Sequence, residues 1–269
     1  LKMDLTGKTA VVTGGSGVLG SVMCRALADA GAQVAVLATT REKIDAVVNV
    51  IQAARGEAMG VTADVTDRSA LQTAADVIMS AFGKVDILVN AAGGNRPDAT
   101  TGTLSLFDLP DTAIDSVMAL NFSGTLIPCQ VFGKIMAEQK TGNIINISSM
   151  ASMRPLTRVA AYGAAKAAVN NVTQWLAVHF AKEYSPSIRV NAIAPGFFVG
   201  DQNRYLLYDE KTGDLTPRGQ QIIDHTPLGR FGDAEDLIGT LLWLASDDSR
   251  FVTGIVVPVD GGFSAYSGV

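Results

Sequence analysis

Cysteine and histidine are nearly missing from this 269-residue chain, which has two of each. Cys24 and Cys129 cannot form a disulfide framework or a cysteine-rich zinc site, and each is expected to be a small buried apolar residue. His179 falls in the largely apolar run Trp175–Phe180, and His225 precedes Thr226-Pro227. With no His/Cys/carboxylate cluster, no metal is expected. Charge is also sparse: charged residues make up 17% of the chain, with 21 basic against 26 acidic and a formal net charge of −5. An acidic chain with no basic run is not expected to present a nucleic-acid surface. No stretch approaches the roughly 18 consecutive apolar residues of a membrane span. Leu1-Lys2-Met3-Asp4 has no apolar signal segment, so a cytoplasmic protein without membrane contact is expected.

What the chain has is apolar residues at 48% and 27 glycines. Seven short Val/Ile-rich runs recur: Thr9–Thr13, Val34–Leu37, Ala58–Ala63, Ile87–Asn90, Asn143–Ser148, Ile188–Ala194 and Gly254–Val259. Helical spacing lies between them near 18–30, 41–54, 67–82, 111–138, 160–184 and 233–246. Runs apolar on both sides that alternate with helices predict a doubly wound, Rossmann-type α/β domain: a seven-stranded parallel sheet covered on both faces. The alternation shows no linker, so residues 1–269 are read as one domain. Gly93–Pro110 and 196–226 break the rhythm where ligands bind in such folds, beyond the carboxyl ends of strands. The second is expected to be a substrate lid.

The first strand runs into Thr13-Gly-Gly-Ser-Gly-Val-Leu-Gly20 and then a helix. Glycines there let backbone approach a pyrophosphate, and the helix N–H groups meet its charge; a Gly-rich turn also serves plain close packing. After the second strand the run Ala38-Thr39-Thr40-Arg41 lacks the carboxylate that excludes a ribose 2′-phosphate. Either Thr39, Thr40 and Arg41 receive that phosphate, a lean towards NADP over NAD, or they are a solvated helix turn. Tyr162 and Lys166 share a helix face at i,i+4 spacing, and an ammonium beside a phenol favours the phenolate. Ser149 lies thirteen residues earlier, at the end of a strand.

These elements together resemble the short-chain dehydrogenase/reductase family over essentially the whole chain. The matching order also includes Asp64-Val65, Asn90-Ala91-Ala92-Gly93, Asn121, Pro195-Gly196, Val252-Thr-Gly254 and Asp260-Gly-Gly262. The resemblance implies an NAD(P) cofactor and hydride transfer between a ketone and a secondary alcohol. It implies that Tyr162 moves the proton at the substrate oxygen, Ser149 hydrogen-bonds that oxygen, Lys166 lowers the Tyr pKa and holds the ribose, and Asn121 positions a relay water. It further implies cofactor contacts from Gly14, Ser16, Val18, Leu19, Asp64, Val65, Asn90, Ala91, Gly93, Tyr162, Lys166, Pro195 and Gly196, and a homotetramer built on the helices near 111–138 and 160–184. Two positions depart from the family: Val18 stands where glycine is usual, and Gly200 where many members have threonine.

The variable segments Gly94-Asn95-Arg96-Pro97, Arg154–Arg158, Pro195–Phe198 and the Phe263–Val269 tail resemble the bacterial D-mannonate oxidoreductases (fructuronate reductases) of this family. That implies D-fructuronate and D-mannonate as the substrate pair. Asn95, Arg96, Arg154 and Arg158 are then candidate contacts to an anionic sugar acid, since guanidinium forks suit carboxylates; solvated or subunit-contact arginines are the plain reading. The alternatives are a gluconate 5-dehydrogenase-like or other polyol enzyme and a 3-oxoacyl-carrier reductase. A catalytically silent nucleotide-sensing protein is the alternative from another class.

Overall fold

The computed structural model describes residues 3–102, 104–200 and 203–268. One sheet carries seven parallel strands in the order β3-β2-β1-β4-β5-β6-β7. The strands are β1 (Thr9–Thr13), β2 (Gln33–Ala38), β3 (Glu57–Thr62), β4 (Ile87–Asn90), β5 (Gly142–Ile147), β6 (Ile188–Pro195) and β7 (Val256–Val259). All seven expected strands form, with ends shifted by a residue or two. The helices are α1 (Val18–Asp29), α2 (Arg41–Ala53), α3 (Arg68–Phe82), α4 (Asp111–Met118), α5 (Gly124–Gln139), α6 (Ala160–His179), α7 (Arg204–Leu207), α8 (Pro217–Asp224) and α9 (Ile238–Ala245).

Alternation along β1 shows how both faces are buried. Ala10 and Val12 pack with Met23, Leu27, Ile44 and Leu241, under α1, α2 and α9. Val11 points the other way, to Leu71, Ile78, Phe132 and Leu176 of α3, α5 and α6. A strand apolar on both sides must be covered twice, which is why the helices divide between the faces.

The chain order reverses between β1 and β4, whose ends align as Thr13 with Asn90, and Asn90 in turn with Asn146 of β5. Such a switch point opens a crevice beyond the strand ends.

Three expected helices need correction. The 111–138 segment is not continuous, because a π-helical turn at Ala119–Ser123 separates α4 from α5. Asn121 causes it locally, its Nδ2 donating to the Val117 carbonyl while Thr125 Oγ1 donates back to the Asn121 carbonyl. Pro128, in the first turns of α5, also lacks the N–H a regular ladder needs. Helix α6 likewise gives way to a π turn at Phe180–Tyr184, and α9 is preceded by a 3₁₀ turn at Ala234–Leu237. The 196–226 segment is more ordered than a loop, since it contains α7 and α8 and pairs Phe198 with Gly232. Among the described residues, no helix is long and apolar enough to cross a membrane.

Candidate active site

The turn after β1 is built on contacts that only glycine permits. Gly14 has φ +62°, and a Cβ there would lie 2.7 Å from the Ala92 backbone. At Gly20 a Cβ would lie 2.2 Å from the Gly14 carbonyl oxygen. Gly17 precedes α1 and supplies no side-chain cap to the first N–H groups of the helix. Uncapped N–H groups beside a bare glycine cradle fit the pyrophosphate of a dinucleotide.

Val18 and Gly200, the two departures from the family pattern, meet here. A Cβ on Gly200 would stand 3.6 Å from a Val18 methyl. The branched side chain on α1 thus occupies space beside a residue that has no side chain.

Two residues beyond the end of β5, Ser149 caps the short turn Met150–Ser152. Its Oγ accepts the Ala151 N–H at 3.2 Å, and the Ser149 side chain acts on the Tyr162 phenol to lower its pKa. Lys166 is buried and donates its Nζ to the Ile147 carbonyl at 2.8 Å, which holds the ammonium 5.8 Å from the Tyr162 ring centre. The Ser149 turn is stapled to α6 by residues that sequence reasoning missed. Asn170 donates to Ser152 Oγ at 2.7 Å and accepts from Ser148, while Ser152 donates to the Ser149 carbonyl. The available signal was that Asn170 lies four residues after Lys166, on the same helix face.

Burial pushes the Tyr162 phenol above its ordinary value, opposed by the Ser149 hydrogen bond. Burial also lowers Lys166, to about 8. The expected acidification of the phenol is therefore not the net balance here: desolvation of Tyr162 outweighs the hydrogen bond that favours its anion.

Asn121 is fully buried and braces the loop after β4. Its Nδ2 donates to the Gly94 carbonyl at 2.7 Å and its Oδ1 accepts the Gly94 N–H at 3.1 Å. A Cβ on Gly93 would lie 2.8 Å from Asn121 Oδ1 and 3.0 Å from Lys166 Nζ, so the glycine brings the loop against both side chains. Asn90 donates to Asn146 Oδ1 at 2.9 Å within the sheet, which makes it a support of the strand ends. The next peptide does the same, Ala91 N–H donating to the Thr13 carbonyl at 3.2 Å. Gly196 sits tight against Asp260, with its N–H on Val259, and fixes where β6 ends at Pro195.

Asp64 folds back onto Thr66 in an exposed turn, while the Val65 side chain is buried against Gly124. Ser16 lies in the glycine turn, and Val18 and Leu19 open α1. Thr39 and Thr40 are exposed, and Arg41 is engaged with Asp45 one helical turn away, at 2.8 Å.

The four candidate substrate residues separate. Asn95 follows the braced Gly94, and its buried Oδ1 has no hydrogen-bond partner among the described residues. Arg96 forks onto Asp98 with two 2.9 Å bonds, and Arg154 donates to the Ser264 carbonyl at 2.9 Å. Arg158 is exposed and makes no ion pair among the described residues. The tail reaches the same region, with Phe263 against Phe197 and both Phe263 and Tyr266 against His225. No group of three or more His, Cys, Asp or Glu side chains suited to a metal occurs among the described residues.

Residues 16–264 match the family model described as enoyl-(acyl carrier protein) reductase. The chain belongs to the short-chain dehydrogenase/reductase family, and it is an NAD(P)-dependent oxidoreductase acting on CH–OH groups. It is 52% identical to the uncharacterized oxidoreductase UxuB of Bacillus subtilis, over 100% of this chain and 99% of that one. Among solved structures, it resembles a Haemophilus influenzae protein provisionally assigned as a D-mannonate oxidoreductase, with bound NAD. That likeness has a TM-score of 0.93 at 44% identity, covering 99% of this chain and 98% of that one. A gluconate 5-dehydrogenase from Burkholderia cenocepacia, in complex with NADP and tartrate, aligns with a TM-score of 0.89 at 29% identity, covering 98% of each chain.

Proposed function

We propose that the enzyme interconverts D-fructuronate and D-mannonate. The observation that carries the chemistry is the meeting of Ser149, Tyr162 and Lys166 beyond the end of β5. The substrate reading is supported by the segments shared with D-mannonate oxidoreductases and by the basic, hydroxyl-reading side chains beside that centre.

In reduction, the Tyr162 O–H gives its proton to the carbonyl oxygen as that oxygen gains negative charge, and Ser149 Oγ–H donates a hydrogen bond to the same atom. The reduced nicotinamide, when bound, supplies the hydride. Lys166 places a positive charge where the Tyr162 phenolate forms, and Asn121 holds Gly93–Gly94 and keeps one Oδ1 lone pair for a relay water. The unpaired Asn95 Oδ1 accepts a sugar hydroxyl. Residues 196–226, with α7 and α8, act as the substrate lid. We further assign the enzyme to the cytoplasm, where the free thiols Cys24 and Cys129 stay reduced. It works there as a homotetramer, with exposed Trp175 and Val178 of α6 among the subunit contacts.

NADPH is the preferred reductant in this reading. No carboxylate stands at the end of β2, and an exposed i,i+4 pair such as Arg41–Asp45 is worth only about 0.3–0.5 kcal/mol, little resistance to a phosphate. Steady-state assays with D-fructuronate and each reduced nicotinamide test the proposal, beside a panel of 5-ketogluconate and a 3-oxoacyl thioester. A higher kcat/KM on either panel member replaces the substrate, and an NADH preference refutes the cofactor choice. Binding of cofactor without turnover of any carbonyl selects the silent sensor.

The pH profile follows from the shifted groups. Tyr162, raised by burial, stays protonated across the neutral range and contributes no limb there to the reductive rate. Lys166 carries its charge below about pH 8 and loses it above. Reductive kcat/KM is expected to be level from roughly pH 6 to 7.5 and to fall above about 8. Lys166→Met removes that limb; a limb that persists in the variant assigns it to another group.

A further inference from the structure

The segment after β6 contributes a cation that no motif marks. Arg218 is the second residue of α8, and its Nη1 donates to Thr157 Oγ1 at 3.1 Å. Thr157 adjoins Arg158, which lies four residues ahead of Tyr162. Arg158 has φ +77°, a left-handed backbone that is strained for a non-glycine residue. Its carbonyl accepts the Thr101 N–H at 3.0 Å, and a Cβ on Gly102 would lie 3.8 Å from Arg158 Cδ. Segments leaving the carboxyl ends of β4, β5 and β6 therefore converge on two neighbouring guanidiniums.

Neither of the two has a carboxylate partner among the described residues, whereas Arg41, Arg96 and Arg230 each engage an aspartate. Burial, and after it the charge of Arg158, weakens the hold of Arg218 on its own proton. Two unneutralised like charges kept together by hydrogen bonds and a strained turn lower their free energy when an anion enters.

We infer that Arg158 and Arg218 form the clamp for the substrate carboxylate, with Thr157 holding Arg218 in position. The inference rests on the sugar-acid reading above and assigns the anion to a particular pair. In D-fructuronate the carboxylate is four bonds from the ketone carbon, so a clamp on one end sets which carbon meets Tyr162. Because Arg218 rides on α8 and Arg158 leads into α6, one carboxylate held by both ties the proposed lid to the catalytic helix. Arg96 and Arg154 are committed to Asp98 and to the tail, and they are not part of the clamp.

The test compares D-fructuronate with D-fructose, which keeps the ketone and lacks the carboxylate, for the wild type, Arg158→Gln, Arg218→Gln and Arg218→Lys. Losing one charge-assisted bond should raise KM for D-fructuronate on the order of 10- to 100-fold, with kcat changed less than about threefold. The ratio of kcat/KM between the two substrates should fall by the same factor, and Arg218→Lys should recover part of it. Thermal unfolding of each variant verifies that the fold is intact. If the wild type reduces D-fructuronate and Arg218→Gln leaves KM within twofold, or lowers kcat/KM equally on both substrates, the clamp is overturned and the proposed function stands. If the wild type reduces no sugar acid and does reduce uncharged ketones, the substrate reading is overturned and the clamp with it.

Discussion

Tyr162→Phe is expected to lower kcat in both directions by on the order of 10²- to 10⁴-fold, the usual contribution of a positioned acid–base group. Removing the hydroxyl takes away the proton donor and leaves Ser149 as the only designated partner of the substrate oxygen. Ser149 keeps its bond from the Ala151 N–H, so the turn at the end of β5 survives the change. The deleted hydrogen bond is worth about 0.5–1.5 kcal/mol to stability, and thermal unfolding should move by only a few degrees. Titration of NAD(P)H fluorescence should give a dissociation constant within a few-fold of the wild type. Residual activity above a tenth of the wild-type rate would remove Tyr162 from the proton step.

Gly20→Ala should do the greatest damage to the dinucleotide turn. The new Cβ would lie 2.2 Å from the Gly14 carbonyl oxygen and 3.0 Å from the Gly15 Cα, all backbone, and Gly14 is itself held 2.7 Å from the Ala92 backbone by the same measure. Nothing flexible is available to move, so the turn must open. Overpacking of this kind costs about 1–3 kcal/mol or more, and the opened turn no longer presents the α1 N–H groups to a pyrophosphate. NAD(P)H affinity should fall at least roughly 100-fold, as though two or more charge-assisted bonds were lost. Gly17→Ala, with φ −78° and one contact at 3.3 Å, should destabilise the fold less. Equal unfolding temperatures and affinities for wild type and Gly20→Ala would show that the turn closes some other way.

The central strands were legible because β1, β2, β4, β5 and β6 are buried on both faces, and continuous apolar runs of that kind have few other readings, whereas the edge strands β3 and β7 are only partly covered. The catalytic candidates were legible for a different reason. Tyr162 and Lys166 are neighbours through helix periodicity alone, and Ser149 is fixed by the end of the adjacent strand. The break at Ala119–Ser123 escaped the pattern because apolar spacing continues through it; the bond from Asn121 to Gly94, 27 residues away, is what makes that geometry worthwhile. Sequence placed Arg96, Arg154 and Arg158 together as candidate contacts, but the partners of the first two separate them: Asp98 two residues on from Arg96, and Ser264 110 residues on from Arg154.

Periodicity and side-chain chemistry alone were enough to dictate the layered α/β architecture and to mark the glycine turn and the Tyr162–Lys166 pair, because each rests on neighbours a few residues apart or on burial common to a whole element. The roles assigned to Ser149, Tyr162 and Lys166 came from the family resemblance. Which arginines stand without an acid, which asparagine is left with an unpaired oxygen, and how Val18 comes to lie beside Gly200 were settled by packing. Those outcomes depend on loops from β4, β5 and β6 arriving at one place, and long-range closure of that kind leaves no periodic trace in the chain.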